Sequence, residues 1–139
     1  MQTIEKTILV MVAALAISAR ADLMVTMEPV KVTGQKAVVK LEMKNTFAEE
    51  VQSARAVVFL LDAHGKVIGQ STRWVIGGTR YLPGLPPGAT NNYSFVITSP
   101  KPFAATNLTA KVQFSRVVLE SGKLANVTQD VKMNNASNK

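Results

Sequence analysis

The sequence predicts an all-β protein: a single immunoglobulin-like antiparallel β-sandwich of about seven strands, preceded by a cleaved signal peptide. Three observations lead there. Apolar and polar residues alternate with period two in several segments, as in Ala37, Val39, Leu41 and Met43 against Lys36, Lys40, Glu42 and Lys44. That pattern suits strands with one buried face. Gly, Pro, Asn and Asp cluster between these segments at the spacing of a sandwich, and nothing after Ala21 repeats with a helical period. With no cysteine, the antibody-type Cys…Trp…Cys core is missing, so the immunoglobulin likeness is one of architecture.

The first residues are set apart from the fold. Met1–Lys6 holds one lysine, with Glu5 weakening its positive character, and Thr7–Ala19 is almost unbroken apolar sequence. Ala19-Arg20-Ala21 then matches a small-x-small cleavage site, completing the three-part pattern of a secretory signal peptide. The apolar run falls short of the roughly 20 residues that span a bilayer. The expected organisation is therefore 1–21 signal peptide, 22–133 sandwich and 134–139 polar tail. Removing Lys6, Arg20 and Glu5 leaves 14 basic and 8 acidic residues, a net charge of +6. The mature chain is expected to be exported, periplasmic or secreted, with no membrane span and no lipid-bearing cysteine. A disulfide-free exported domain must rest on its core and ladders, which fits a bacterial envelope.

The organising stretch is Val51–Val75. Nearly every position from Ala54 to Leu61 is apolar on both parities, as in a strand sheltered on both sides. Asp62-Ala63-His64-Gly65 follows: a side chain able to bond its own backbone, then a glycine able to take positive φ. Val67–Ile76 makes the return strand of a hairpin, with Gly69 marking a bulge or a close backbone approach.

The other elements follow in order. Leu23, Val25 and Met27 alternate with polar neighbours, but beyond Glu28-Pro29 the apolar parity shifts to Val30 and Val32. A proline there implies a kinked edge strand, at a point where a chain can pass between sheets. Gly77–Ala89, with Gly-Gly, Pro-Gly and Pro-Pro-Gly, is the longest irregular segment. Tyr93, Phe95 and Ile97 form one strand, and Leu108, Ala110, Val112 and Phe114 another. Ser121-Gly122 suits a two-residue turn, and Val127, Val131 and Met133 line the last strand.

Several of these segments resemble the FxLYD type of domain, a small β-sandwich of exported prokaryotic proteins. The likeness covers Ala37 to Ile97. It rests on Lys44-Asn45-Thr46, Val58-Phe59-Leu60-Leu61-Asp62, Gly65-Lys66-Val67-Ile68-Gly69, and Leu85-Pro86-Pro87-Gly88 before Tyr93-Ser94-Phe95. Val58 replaces the Phe and Leu61 the Tyr of the family's name. The resemblance implies a module rather than a reaction, because the family carries no established catalytic residues.

No catalytic site, metal site or cofactor is expected. The one histidine, His64, sits at a turn tip, and Asp62 is explained by capping that turn. Glu49 and Glu50 are adjacent and point apart if a strand begins there. No glycine-rich loop precedes a helix. Met24, Met27, Met43 and Met133 offer thioether sulfur that suits Cu(I), although inward-facing methionines usually fill core. Lys36, Lys40 and Lys44 fit a solvated sheet face better than a nucleic-acid surface, which would need interleaved aromatics. Four Asn-x-Ser/Thr sequons, at Asn92, Asn107, Asn126 and Asn135, become glycan acceptors only in a eukaryotic source.

The leading expectation is thus a non-catalytic exported module in contact with an envelope or surface protein, and the alternative is a small periplasmic ligand- or metal-binding protein. The possible contact residues are Tyr81, Leu82 and His64. Packing of Tyr81 and Leu82 on the sheet edge is the plainer expectation for those two, since scattered apolar loop residues are common.

Overall fold

The computed structural model describes residues 21–105 and 107–135. The expected signal peptide, except Ala21, and the last four residues of the expected tail lie outside them. Eight strands follow one another: β1 (Leu23–Met27), β2 (Lys31–Thr33), β3 (Lys36–Asn45), β4 (Val51–Leu61), β5 (Val67–Ile76), β6 (Thr90–Thr98), β7 (Thr109–Leu119) and β8 (Val131–Asn135). The described residues contain no helix.

One sheet is built on β3. Lys36–Lys44 of that strand pair with β6, while β1 and β2 share its other side, opposite Leu41–Asn45 and Lys36–Val38 respectively. β8 then pairs with β1 in parallel. The second sheet has the order β5-β4-β7, all antiparallel. The strand count exceeds seven because the Pro29 kink divides the first strand in two. Both halves stay on β3, so the chain does not change sheet there. β2 lies at an edge, as expected at a proline, but β1 is interior, between β3 and β8.

The alternating patterns become the core. Val39, Leu41 and Met43 of β3, Ala54, Ala56, Val58 and Leu60 of β4, and Val25 of β1 are fully buried, joined by Phe95 and Phe114. Burying each large side chain contributes about 1.5–3 kcal/mol. The expectation that β4 is sheltered on both sides holds only for its inner face. Val57, Phe59 and Leu61 on the outer face are half-buried, and no second layer covers them among the described residues.

The hairpin between β4 and β5 forms as its sequence implies. Asp62 Oδ1 accepts from the backbone N–H groups of Lys66 and His64, both at 2.9 Å, and Gly65 takes φ +78°. The bond from the Lys66 N–H is the main cause that holds the Asp62 carboxyl below its usual range, with the His64 N–H adding to it. A carboxylate with a depressed folded pKa stabilises the fold above its unfolded pKa of about 3.9. That contribution disappears as pH falls through the lower folded value. Amide exchange at His64 and Lys66 should therefore accelerate below about pH 4 relative to other turns. An Asp62→Asn variant should lack that acid transition; persistence of the transition would assign it elsewhere.

The sheets come closest at β5 and β6, where a Cβ added to Gly69 would lie 3.0 Å from Ile97 Cγ2. Gly69 thus serves a close approach, next to a bulge between Leu60 and Leu61. The opposite side is more open. The Ser121-Gly122 turn forms, with Gly122 at φ +88° and a bridge from Val118 to Leu124. It does not lead into a strand beside β7. The chain turns again at Asn126–Asp130, where Asn126 Oδ1 accepts from the Thr128 and Gln129 N–H groups. Only at Val131 does it enter β8, on β1. Val127 accordingly belongs to a turn, and Asn134 and Asn135, expected in a tail, pair with Thr26 and Met27.

Candidate contact site

The Gly77–Ala89 segment is irregular but firmly held, and its anchors begin at Gly77. This residue has φ +52°, and an added Cβ would collide with the Gln52 carbonyl oxygen. Its N–H donates to Pro83 O at 3.0 Å, closing a short loop. Within it the Tyr81 N–H donates to Thr79 Oγ1 at 3.3 Å and the Leu82 N–H to Thr79 O at 3.4 Å. Gly78 lies so close under Trp74 that an added Cβ would meet the indole ring. The Arg55 guanidinium sits 5.9 Å from the centroid of that ring, within cation–π range.

The second half of the segment is tied to the sheets. Leu85 is buried and exchanges two backbone bonds of 2.9 Å with Val51. Asn45 fixes the rest. It is the one buried polar residue among those described and is fully enclosed. Its Nδ2 donates to Leu85 O at 2.8 Å and to Glu49 O at 3.0 Å, while its Oδ1 accepts from the Phe47 N–H at 2.8 Å. Its backbone N–H donates to Ala89 O, and its carbonyl accepts from the Gly88 N–H. One side chain thereby bonds three backbone groups of two loops; the Phe47 N–H and the Glu49 carbonyl have no other partner among the described bonds, while Leu85 O also accepts from the Val51 N–H.

This frame presents Tyr81. The side chain is 83% exposed, the most exposed large apolar group described, beside the exposed Arg80. Leu82 is half-buried. The expectation that both residues pack on the sheet edge therefore fails for Tyr81, whose turn projects it outward. His64 is exposed at the far end of β5. The ten residues of β5 separate the two tips by about 30 Å, so His64 and Tyr81 do not belong to one site.

Other candidate groups lie apart as well. The Glu49 carboxyl is held below its usual range, chiefly by the Ser121 backbone N–H at 2.8 Å, and caps that turn. No group of three His, Cys, Asp or Glu side chains among the described residues is placed to hold a metal ion. Met43 and Met133 both lie opposite Val25, on β3 and β8, about 10 Å apart by strand spacing. Met24 occupies the other face of β1.

The fold and site define a class, a two-sheet all-β protein with a pinned loop. No protein-family model matches the chain, and no curated protein does either. Several solved structures are similar, and two serve as examples. One is the putative ApaA protein from Bordetella pertussis, with TM-score 0.56 and 21% identity, covering 76% of this chain and 86% of that one. The other is the structural-genomics target SoR45, with TM-score 0.49 and 18% identity, covering 80% and 83%. At these identities the ApaA likeness supports the fold alone.

Sequence inspection missed Asn45 as a structural centre, although a signal existed. Asn45 continues the inward parity of Ala37, Val39, Leu41 and Met43. A polar residue at a core position demands partners, and the two loops supply them.

Proposed function

We propose that the protein is a non-catalytic contact module, exported as its N-terminal sequence implies, that binds an envelope or surface protein through the Tyr81 turn. The observation that carries this reading is a tyrosine almost wholly in solvent on a turn fixed at its base. Such a side chain can bury a large amphipathic surface on a partner at little conformational cost. The resemblance to FxLYD-type domains, which carry no known reaction, belongs to the same proposal.

Paired alanine variants test it. Tyr81→Ala should leave the urea midpoint nearly unchanged, within about 0.5 kcal/mol of stability. Capture of the native partner from the envelope by the tagged mature protein should fall by about thirtyfold, the loss typical of a hot-spot aromatic. Leu82→Ala should show the reverse, a measurable loss of stability with the contact retained. A Tyr81→Ala protein that keeps full capture would overturn the assignment.

A further inference from the structure

The open side of the sandwich carries a second, independent feature. Because β8 pairs with β1 and not with β7, the free edges of β7 and β8 flank an open groove of about 440 Å³. Its lining is mostly apolar: Val112 and Phe114 from β7, Val127, and Val131 and Met133 from β8. Met133 faces inward, in register with fully buried Val25. It nevertheless remains 38% exposed, because nothing lies over the seam among the described residues. Beyond Arg116, β7 is covered by the Lys123–Ala125 segment, so the free edge is Thr109–Arg116.

Charge narrows the occupant. The two strands carry Lys111, Arg116 and Lys132 and no carboxylate. The nearest acids in sequence, Glu120 and Asp130, are already engaged, accepting from the backbone N–H groups of Glu50 and Asn126. Edge lysines discourage pairing with a second copy of the same strand, and they attract a chain of opposite charge.

We propose that this seam binds an extended acidic peptide segment by β-addition to the free edge of β7. The segment's alternate apolar side chains fill the groove over Phe114 and Val131, and its acidic residues, on the other parity, meet Lys111 and Arg116 on the outer face of the β7 sheet. Backbone ladder bonds supply affinity, and the side chains of one parity supply selection. Eight residues of free edge correspond to about 26 Å of extended chain, enough for a segment of six to eight residues. The site is independent of the Tyr81 turn, since β5 and β7 are opposite edges of one sheet.

The test uses the processed full chain and a fluorescein-labelled nine-residue peptide of alternating glutamate and valine. Controls are the lysine–valine counterpart and the acidic peptide with a central proline. The acidic peptide should bind saturably, and both controls at least tenfold more weakly. Met133→Glu, at a position already partly in solvent, should weaken binding at least tenfold with an unchanged melting temperature. Lys111→Glu should weaken it about fivefold, less at high salt. Amide shifts should concentrate on Thr109–Arg116, and Tyr81→Ala should bind as wild type does. Equal binding of the proline peptide, full binding by Met133→Glu, or loss in Tyr81→Ala would overturn the proposal. So would β7-mediated dimerisation of the protein alone, which would make a second copy the occupant.

Discussion

Asn45→Ala is expected to lower stability by roughly 3–5 kcal/mol, the range in which several buried backbone groups lose their partners together. The side chain is enclosed and bonded to Phe47 N, Glu49 O and Leu85 O. Alanine leaves the Phe47 N–H and the Glu49 carbonyl without that partner and Leu85 O with the Val51 N–H alone, and it also leaves a cavity. Asn45→Asp keeps the acceptor for the Phe47 N–H but loses both donations, and it buries a charge; its loss should be as large. The urea midpoint of each variant, compared with that of Asn92→Ala on an exposed face, measures this directly. A change below about 1 kcal/mol for Asn45→Ala would mean that the loops are held by their backbone ladders alone.

Gly77→Ala is expected to cost about 3 kcal/mol or more, by two effects that a second glycine separates. The first effect is positive φ, which disfavours any side chain by about 1–2 kcal/mol. Gly88 shares it, at φ +77°, yet an added Cβ there meets nothing within 4 Å. Gly88→Ala should therefore show the backbone term by itself, about 1 kcal/mol. At Gly77 the new methyl also collides with the Gln52 carbonyl, so the loop base must move and the Gly77–Pro83 bond must stretch. Chemical denaturation of the pair gives the steric term by difference. Equal losses would place Gly77 away from Gln52. Because that base sets the direction of Tyr81, Gly77→Ala should also reduce partner capture below what its stability explains.

Local chemistry made much of the fold legible. The two-fold alternation in β3, β6 and β7 named their buried residues, since each pattern depends only on which face meets the core. The Asp62–Gly65 turn was legible because a capping carboxylate and a positive-φ glycine act within five residues. What escaped were decisions made at long range. Whether β8 joins β7 or β1 depends on residues about a hundred positions apart, and the Ser121-Gly122 signal is equally compatible with both. The open groove follows from that choice, so no local pattern announces it. The outer apolar face of β4 misled for the opposite reason: Val57, Phe59 and Leu61 read as buried on both sides, yet flanking strands shelter them only in part. At the candidate contact site, loop composition marked the segment as irregular. It could not tell Tyr81 from Leu82, whose different exposures arise from the Thr79 turn and the Gly77–Pro83 closure.

The claim that the pinned turn is a contact surface is tested most directly by site-specific photo-crosslinking in cells. A photoreactive phenylalanine would replace Tyr81 in one copy and Leu124, also exposed but beside the β7 turn, in another. The account predicts one discrete adduct from position 81, identified by mass spectrometry as an envelope or surface protein and absent from position 124. Efficient photoactivation that leaves position 81 uncoupled, or gives the same adducts from both positions, would contradict it.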